Sequence, residues 1–143
     1  MTVNNRKNME TEFVAVMKVL ATYFDGLYNS DTSMLADVFH SRAHYVCATD
    51  GTILYLNMDE YFPIVDKRPS PASRGEKRHD RILSLEFAGP VTAYARLECS
   101  IKEKFFTDFL TLIFVEEKWQ IISKVFHYEF NKGTTIDTNL FHK

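Results

Sequence analysis

Asp108 lies within FTDFLTLIFVEEKWQIISKVF, Phe106 to Phe126, on the inner side of a strand that is otherwise apolar when read by alternation. A carboxylate is costly to ionise in apolar surroundings, so an acid in such a place is either held by partners or used to move protons. The same alternation puts His127 on that side, and extending the face across the neighbouring strands adds Cys99, His79 and Arg81. A neutral imidazole beside a carboxylate exchanges protons near neutral pH. An arginine or a phenol can stabilise the oxygen of an enolate, formed when a proton leaves the carbon beside a carbonyl. Asp108, His79 and His127 are therefore the candidate catalytic groups. Tyr23, with Tyr28 as an alternative, on the first helix and Tyr45 or Tyr55 on an early hairpin offer hydroxyl donors. Arg81 or Lys124 can instead neutralise Asp108 as a purely structural pair.

These side chains need elements to hold them. From Met9 to Tyr28 the apolar residues Phe13, Val16, Met17, Leu20, Tyr23, Phe24, Leu27 and Tyr28 recur at steps of three and four, which predicts a long amphipathic helix. Asn29-Ser30-Asp31 ends it, and Asp31 can cap a short second helix reaching Phe39. Two short strands between Ala43 and Leu56 flank Asp50-Gly51, a pair suited to a two-residue hairpin turn. Asn57 followed by Glu60 resembles a third helix start, with Pro63 disturbing that helix. Lys67 to Lys77, KRPSPASRGEK, reads as a surface loop with nothing to pack, and its excess of basic residues can draw an anion to a nearby mouth. Four strands follow, near 78–88, 91–102, 104–115 and 119–130, and the tail from Asn131 is polar.

Strand pairing decides which residues share a face. With Glu116-Glu117 as a two-residue turn, Asp108, Leu110, Leu112 and Phe114 join Trp119, Ile121, Ser123, Val125 and His127. Asp108 then sits opposite Cys99 with His79 alongside, Arg81 and Ser123 lie one row deeper, and His127 lies one row nearer the mouth. On the preceding strand Leu83, Leu85 and Phe87 continue the apolar face. A bulge in the last strand would exchange Ser123 for Lys124. The penultimate strand is apolar on its other face too, through Phe109, Thr111, Ile113 and Val115, with Ile122 and Phe126 extending it. A second copy covering that face would make a homodimer, and the alternative cover is the chain's own tail through Leu140 and Phe141.

The 143 residues suit a single domain, and a formal net charge of -2 offers no basic field for nucleic acid. No apolar run is long enough to cross a bilayer, and no apolar stretch follows the basic residues of the N-terminus, so a cytoplasmic location without membrane association is expected. Two distant cysteines, Cys47 and Cys99, fit reduced, buried thiols. His40, His44 and Cys47 carry metal-binding atoms, but their spacing matches no ligand motif, so neither a metal nor a cofactor is assigned. Phosphate-binding loops and nucleophile elbows are lacking as motifs.

The order of elements, with YFDGLYNSDTSMLADVFH and FTDFLTLIFVEEKWQIISKVF, resembles the nuclear transport factor 2-like superfamily over about Met9 to Tyr128. Within it the chain is similar to the group described as putative lumazine-binding, close to SnoaL-like polyketide cyclases and ketosteroid isomerases. Phe39, His40, Asp108, Leu110, Leu112, Trp119, Ile121 and Lys124 carry that likeness. It implies an α+β cone, with three N-terminal helices packed in a curved, mainly antiparallel sheet around a pocket. An isomerase-type base on the first strand is missing, because Arg42 to Thr49 contains no carboxylate. Two functions follow as expectations. One is a small-molecule binder, for a heterocyclic, lumazine-like ligand held by Tyr23, Tyr45, Tyr55, Arg81, Cys99 and Lys124. The other is a lyase, isomerase or cyclase using Asp108 with His79 or His127 for proton transfer.

Overall fold

The computed structural model describes residues 2–130, with side chains from residue 9, so the expectations for the tail lie outside the described residues. The chain forms α1 (Thr2–Asn29), α2 (Thr32–Val38), β1 (Phe39–Cys47), β2 (Leu54–Asn57), α3 (Met58–Lys67), a 3-10 turn (Ala72–Arg74), β3 (Arg81–Phe87), β4 (Thr92–Ile101), β5 (Lys104–Val115) and β6 (Lys118–Phe130). The strands make one sheet in the order β2-β1-β6-β5-β4-β3. Only β1 and β6 pair in parallel. Three helices packed on this mainly antiparallel sheet give the expected α+β cone. No helix among the described residues is long and apolar enough to cross a membrane.

Helix α1 buries Val16, Leu20, Tyr23, Phe24 and Leu27, whereas Phe13 is exposed, so its buried stripe begins a turn later than its periodicity suggested. Ser30 takes a positive φ of 48° and the amides of Ser30 and Asp31 return to the carbonyls of Leu27 and Gly26, which stops the helix with its last carbonyls satisfied. Asp31 then accepts the amides of Ser33 and Met34 at 3.0 and 3.1 Å, as expected of the cap of α2. The two helices meet closely at Gly26, where a Cβ would lie 2.7 Å from Leu35. Asn57 and Glu60 exchange hydrogen bonds of 2.9 Å at the start of α3. Pro63 lies inside that helix without ending it, because neighbouring bonds and buried Tyr61 and Val65 hold it to the sheet side.

Four local expectations need correction. The β1–β2 connection runs from Ala48 to Ile53, and only Gly51 of the Asp50-Gly51 pair has a positive φ, so it is a wider loop than a two-residue turn. The segment after α3 packs more than its composition suggested, since Pro71 is fully buried and Arg74 bonds Glu76 and the Pro69 carbonyl. In β3, Leu83 is an extra residue, for Ile82 pairs with Leu97 while Ser84 pairs with Arg96. That bulge sends Ile82, not Leu83, to the core and leaves Arg81 outside. In β6, Ile121 faces Leu112 while Ser123 faces Thr111, so Ile122 is the extra residue. Lys124 and Phe126 thereby turn inward, and Ser123, Val125 and His127 turn outward. The Glu116-Glu117 turn forms as expected, both residues having positive φ between paired Val115 and Lys118.

Candidate functional site

Asp108 is fully buried on β5, between Leu97 of β4 and Phe126 of β6. Its partner comes from the opposite layer: the Tyr23 hydroxyl on α1 donates to Oδ2 at 2.5 Å. Oδ1 has no hydrogen-bond donor among the described residues. An acceptor left without a donor in the interior is costly, and such exceptions gather where a ligand or proton is handled. Burial first, and then the Asp108 carboxyl group beside it, raise the Tyr23 phenol well above its usual range. Tyr23 therefore remains a donor that holds Asp108 in place.

Two residues before Phe126 stands Lys124, 4% exposed, flanked in register by Leu110 of β5 and Tyr45 of β1. Its ammonium lies 5.1 to 5.8 Å from the ring centres of Tyr23, Tyr45, Tyr61 and Phe126. Each ring presents the negative region of its π system, so the cage stabilises a cation that burial would otherwise discharge. Among the described residues no carboxylate comes within 4.0 Å of it. Burial lowers the affinity of Lys124 for its proton, but Tyr61, Asp108 and Tyr45 outweigh it and hold the amine above its ordinary value. The four rings around it favour Lys124 as an ammonium. Tyr45 is itself pushed up to about 12, chiefly by burial and despite the nearby Lys124 charge.

The other sequence candidates fall into two groups. Cys99 pairs with Phe106, not with Asp108, yet stays buried in the same interior, where burial and then Asp108 raise its thiol. Tyr23, Tyr45 and Lys124 converge with Asp108. His127, Arg81 and Tyr55 do not. The β6 bulge turns His127 outward to a 2.8 Å hydrogen bond with Thr49. Arg81 faces Glu98 on the outer face, 3.8 Å away, and His79 is exposed just before β3. Tyr55 stacks on His44 at the edge of the sheet and is 59% exposed. Tyr28 donates to the Glu76 carbonyl. His40 accepts the Arg42 amide, and Cys47 accepts from Thr49. The structure adds to the converging side chains Tyr61, which its place on the third helix marks as inward-packing, and Phe126. Tyr61 shares the spacing of Val65 on α3, and Phe126 turns inward only through the Ile122 bulge, which plain alternation does not show.

A cleft of about 490 Å³ lies elsewhere, between α1 and the β5–β6 turn beside Trp119, Glu12 and Lys118. Another, about 460 Å³, is rimmed by Arg74, Lys77, His79 and Lys102. Neither is lined by Asp108 or Lys124, and the Tyr45 and Tyr61 rings stack 4.2 Å apart beside the Lys124 ammonium.

Residues 11–127 match the family model described as "Putative lumazine-binding", and the chain belongs to that family within the nuclear transport factor 2-like superfamily. It is 26% identical over 119 residues to aldolase FrzH of Cladobotryum sp., covering 82% of this chain and 91% of that protein. A nuclear transport factor 2-like protein of unknown function from Shewanella baltica OS155 superposes with a TM-score of 0.74 at 26% identity, covering 83% of this chain and 94% of that one. A similar protein of unknown function from Silicibacter pomeroyi DSS-3 gives 0.71 at 22% identity, covering 85% and 98%.

Proposed function

We propose that the interior of the cone binds a small carbonyl compound and that Asp108 moves a proton at the carbon beside that carbonyl. The observation that carries this reading is the unpaired Oδ1 of a buried carboxyl group whose other oxygen is held by Tyr23, with a caged ammonium close by. Asp108 Oδ1 takes the α-proton, the C–H electron pair becomes the enolate, and Lys124 stabilises the enolate oxygen. In an aldol addition the enolate carbon then bonds to an aldehyde or ketone carbon, and the new alkoxide recovers the proton from Asp108. Similarity to aldolase FrzH supports this class of chemistry.

The test is exchange of α-protons in D₂O, followed by NMR, for acetone, pyruvate and phenylpyruvate. Asp108→Asn should lower the exchange rate by about 100-fold or more, in line with the usual contribution of a positioned base. Exchange at the buffer rate in the native protein, or an unchanged rate in Asp108→Asn, would sink the reading.

A second reading, a binder without catalysis, draws on the family description. A flat heterocycle would place an N–H on Asp108 Oδ1 and its face on Tyr45 or Tyr61. A lumazine-dependent rise in melting temperature that Asp108→Asn removes, without proton exchange on any ketone, would favour it.

A further inference from the structure

A cleft of about 280 Å³ opens where the start of β1 meets α3 and the β5–β6 turn, and neither Asp108 nor Lys124 lines it. Five steps along β1, Phe39 to His44, are matched by only two along β6, Ile121 to Ser123, so β1 loops out at His40–Ala43. The His40 ring closes that loop by accepting the Arg42 amide at Nδ1, 2.9 Å away, which leaves the hydrogen of the neutral ring on Nε2. Gln120 lines the cleft with only 6% of its surface exposed. Its side-chain nitrogen donates to the Val115 carbonyl at 3.2 Å. A carbonyl accepts only from a donor, so the orientation of the amide is settled and Oε1 is the end left for the cleft. That oxygen has no hydrogen-bond donor among the described residues. A side chain so deeply buried, with its acceptor unmet at the wall of a cleft, suits a ligand that donates.

The charge of the lining says what that ligand carries. Asp59 in the first turn of α3 and Glu116 in the β5–β6 turn contribute carboxylates, and no lysine or arginine lines the cleft. Lys118, the base beside that turn, lies 3.6 Å from Asp37 and lines a different cleft. Glu116 lies 3.7 Å from His40 Nε2, beyond hydrogen-bond length, so its oxygens stay open to another donor. Phe39 and Phe62, their ring centres 6.3 Å apart, supply an apolar wall. We infer that this cleft binds a small organic ammonium with an aromatic body, the ammonium donating to Gln120 Oε1 beside the carboxylates of Asp59 and Glu116 and the body lying against Phe39 and Phe62. An ammonium gives hydrogens and accepts none, which suits an amide oxygen in an acidic cleft, and aromatic walls attract a cation besides. A volume at the lower end of the range of ligand pockets restricts the occupant to a single-ring amine. The site is separate from the interior around Asp108 and does not depend on the proton-transfer reading.

The probes are phenethylamine and phenethyl alcohol, equal in ring and chain and different in charge at neutral pH. Binding is read by saturation-transfer NMR titration at low salt on the native protein, on Gln120→Met and on a double variant combining Asp59→Asn with Glu116→Gln. Each is first checked for folding by circular dichroism. The native protein should bind the amine at least about tenfold more tightly than the alcohol, the scale of a charged hydrogen bond. The double variant, whose two changes fall at exposed positions, should lose most of that preference. Gln120→Met removes the unmet acceptor and should weaken the amine by about fivefold or more, with the alcohol little changed. If Gln120→Met does not fold, the double variant decides alone. Equal binding of amine and alcohol, or no saturable binding of the amine up to about 10 mM, would overturn the assignment. So would a preference that survives in the double variant, or an unchanged amine affinity in folded Gln120→Met.

Discussion

Lys124 and His127 stand three residues apart on β6 and occupy opposite environments. Lys124 is enclosed by four aromatic rings on the inner face, whereas His127 lies outside, bonded to Thr49 and 3.5 Å from Glu129. A regular strand would put residues three apart on opposite faces, so the pair alone is unremarkable. The instructive contrast is with Trp119 and Ile121, which are buried upstream, because an unbroken alternation from them carries His127 inward and Lys124 outward. The extra residue Ile122 reverses every side chain after it. One bulge therefore chooses between a site made of carboxylate and imidazole and a site made of carboxylate, ammonium and phenols.

The largest effect should come from changing that count. Inserting one alanine after Ser123 moves Lys124 and Phe126 to the outer face and Val125 inward unless the strand bulges twice. The expected result is loss of the folded state, a cost above about 4 kcal/mol, because Lys124 and Phe126 leave the core they pack in and His127 is forced inward. Deleting Ile122 is the informative control. It removes the bulge yet leaves Ser123 outward and Lys124 inward, so a cooperative urea transition should survive with a loss of about 1–2 kcal/mol. Equal damage from the two changes would mean that the bend itself, not the facing of the side chains, is what the fold requires.

Next comes the inner cation. Lys124→Met keeps the length and much of the volume but removes the charge from the aromatic cage. Proton exchange on ketones should fall by about 10- to 100-fold, because the enolate oxygen loses its electrostatic partner. Stability should change by less than about 1 kcal/mol or rise, since a buried ion replaced by a hydrophobe no longer carries a desolvation cost. A loss of several kcal/mol with exchange intact would make Lys124 a structural partner of Asp108. His127→Ala, three residues on, should alter neither quantity.

Much of this arrangement is legible in the sequence. Steps of three and four place Tyr23 on the buried stripe of α1, and alternation within the run that begins at Phe106 marks Asp108 as an acid facing the core. The paired glutamates define the β5–β6 turn, even though neither is the glycine or asparagine that positive φ favours. The bulges are harder to read, because Ile122 and Leu83 are apolar residues in strands that are apolar on both faces. Hydrophobic alternation has little contrast there. Arg68 lies in the proline-containing run KRPSPASRGEK, whose composition masks its helical spacing with Tyr61 and Val65. The Tyr23–Asp108 hydrogen bond spans 85 positions, and nothing local encodes such a contact.

The inner face should also show itself in alkaline solution. Tyr45 has an ordinary phenol value of 10.0 and is pushed up to about 12 in the folded chain, chiefly by burial. Below pH 10 both states hold the proton, and the full stabilisation is present. Between about 10 and 12 the unfolded chain releases the proton and the folded chain does not, so stability falls as pH rises. The raised values of Tyr23 and Lys124 act in the same direction. Urea unfolding from pH 9 to 12 should lose about 1–3 kcal/mol from Tyr45 alone, and Tyr45→Phe should lessen the decline by that amount. A flat profile across this window would mean that the ring is more open to water than its packing against Tyr61 and Phe126 implies.

The smallest effect on chemistry should accompany a change on the outer face. Phe109 is 43% exposed and Val125 is 42% exposed, directly paired across β5 and β6, with Tyr94 and Arg96 against the Phe109 ring. Apolar side chains adjoining on a sheet surface favour cover by another surface, and we propose that a second copy supplies it. Val125→Asp puts a charge at the centre of that face without touching Asp108, Tyr23 or Lys124. Light scattering at micromolar concentration should show a dimer for the native chain and a monomer for the variant, with ketone proton exchange within about twofold of native, the range expected for a surface change distant from the chemistry. A monomeric native chain would remove the proposed dimer. A dimer that persists in Val125→Asp would move the contact to another part of the surface. A large fall in exchange on becoming monomeric would show that the two faces are coupled, with packing on the outer side of β6 holding Lys124 in its cage.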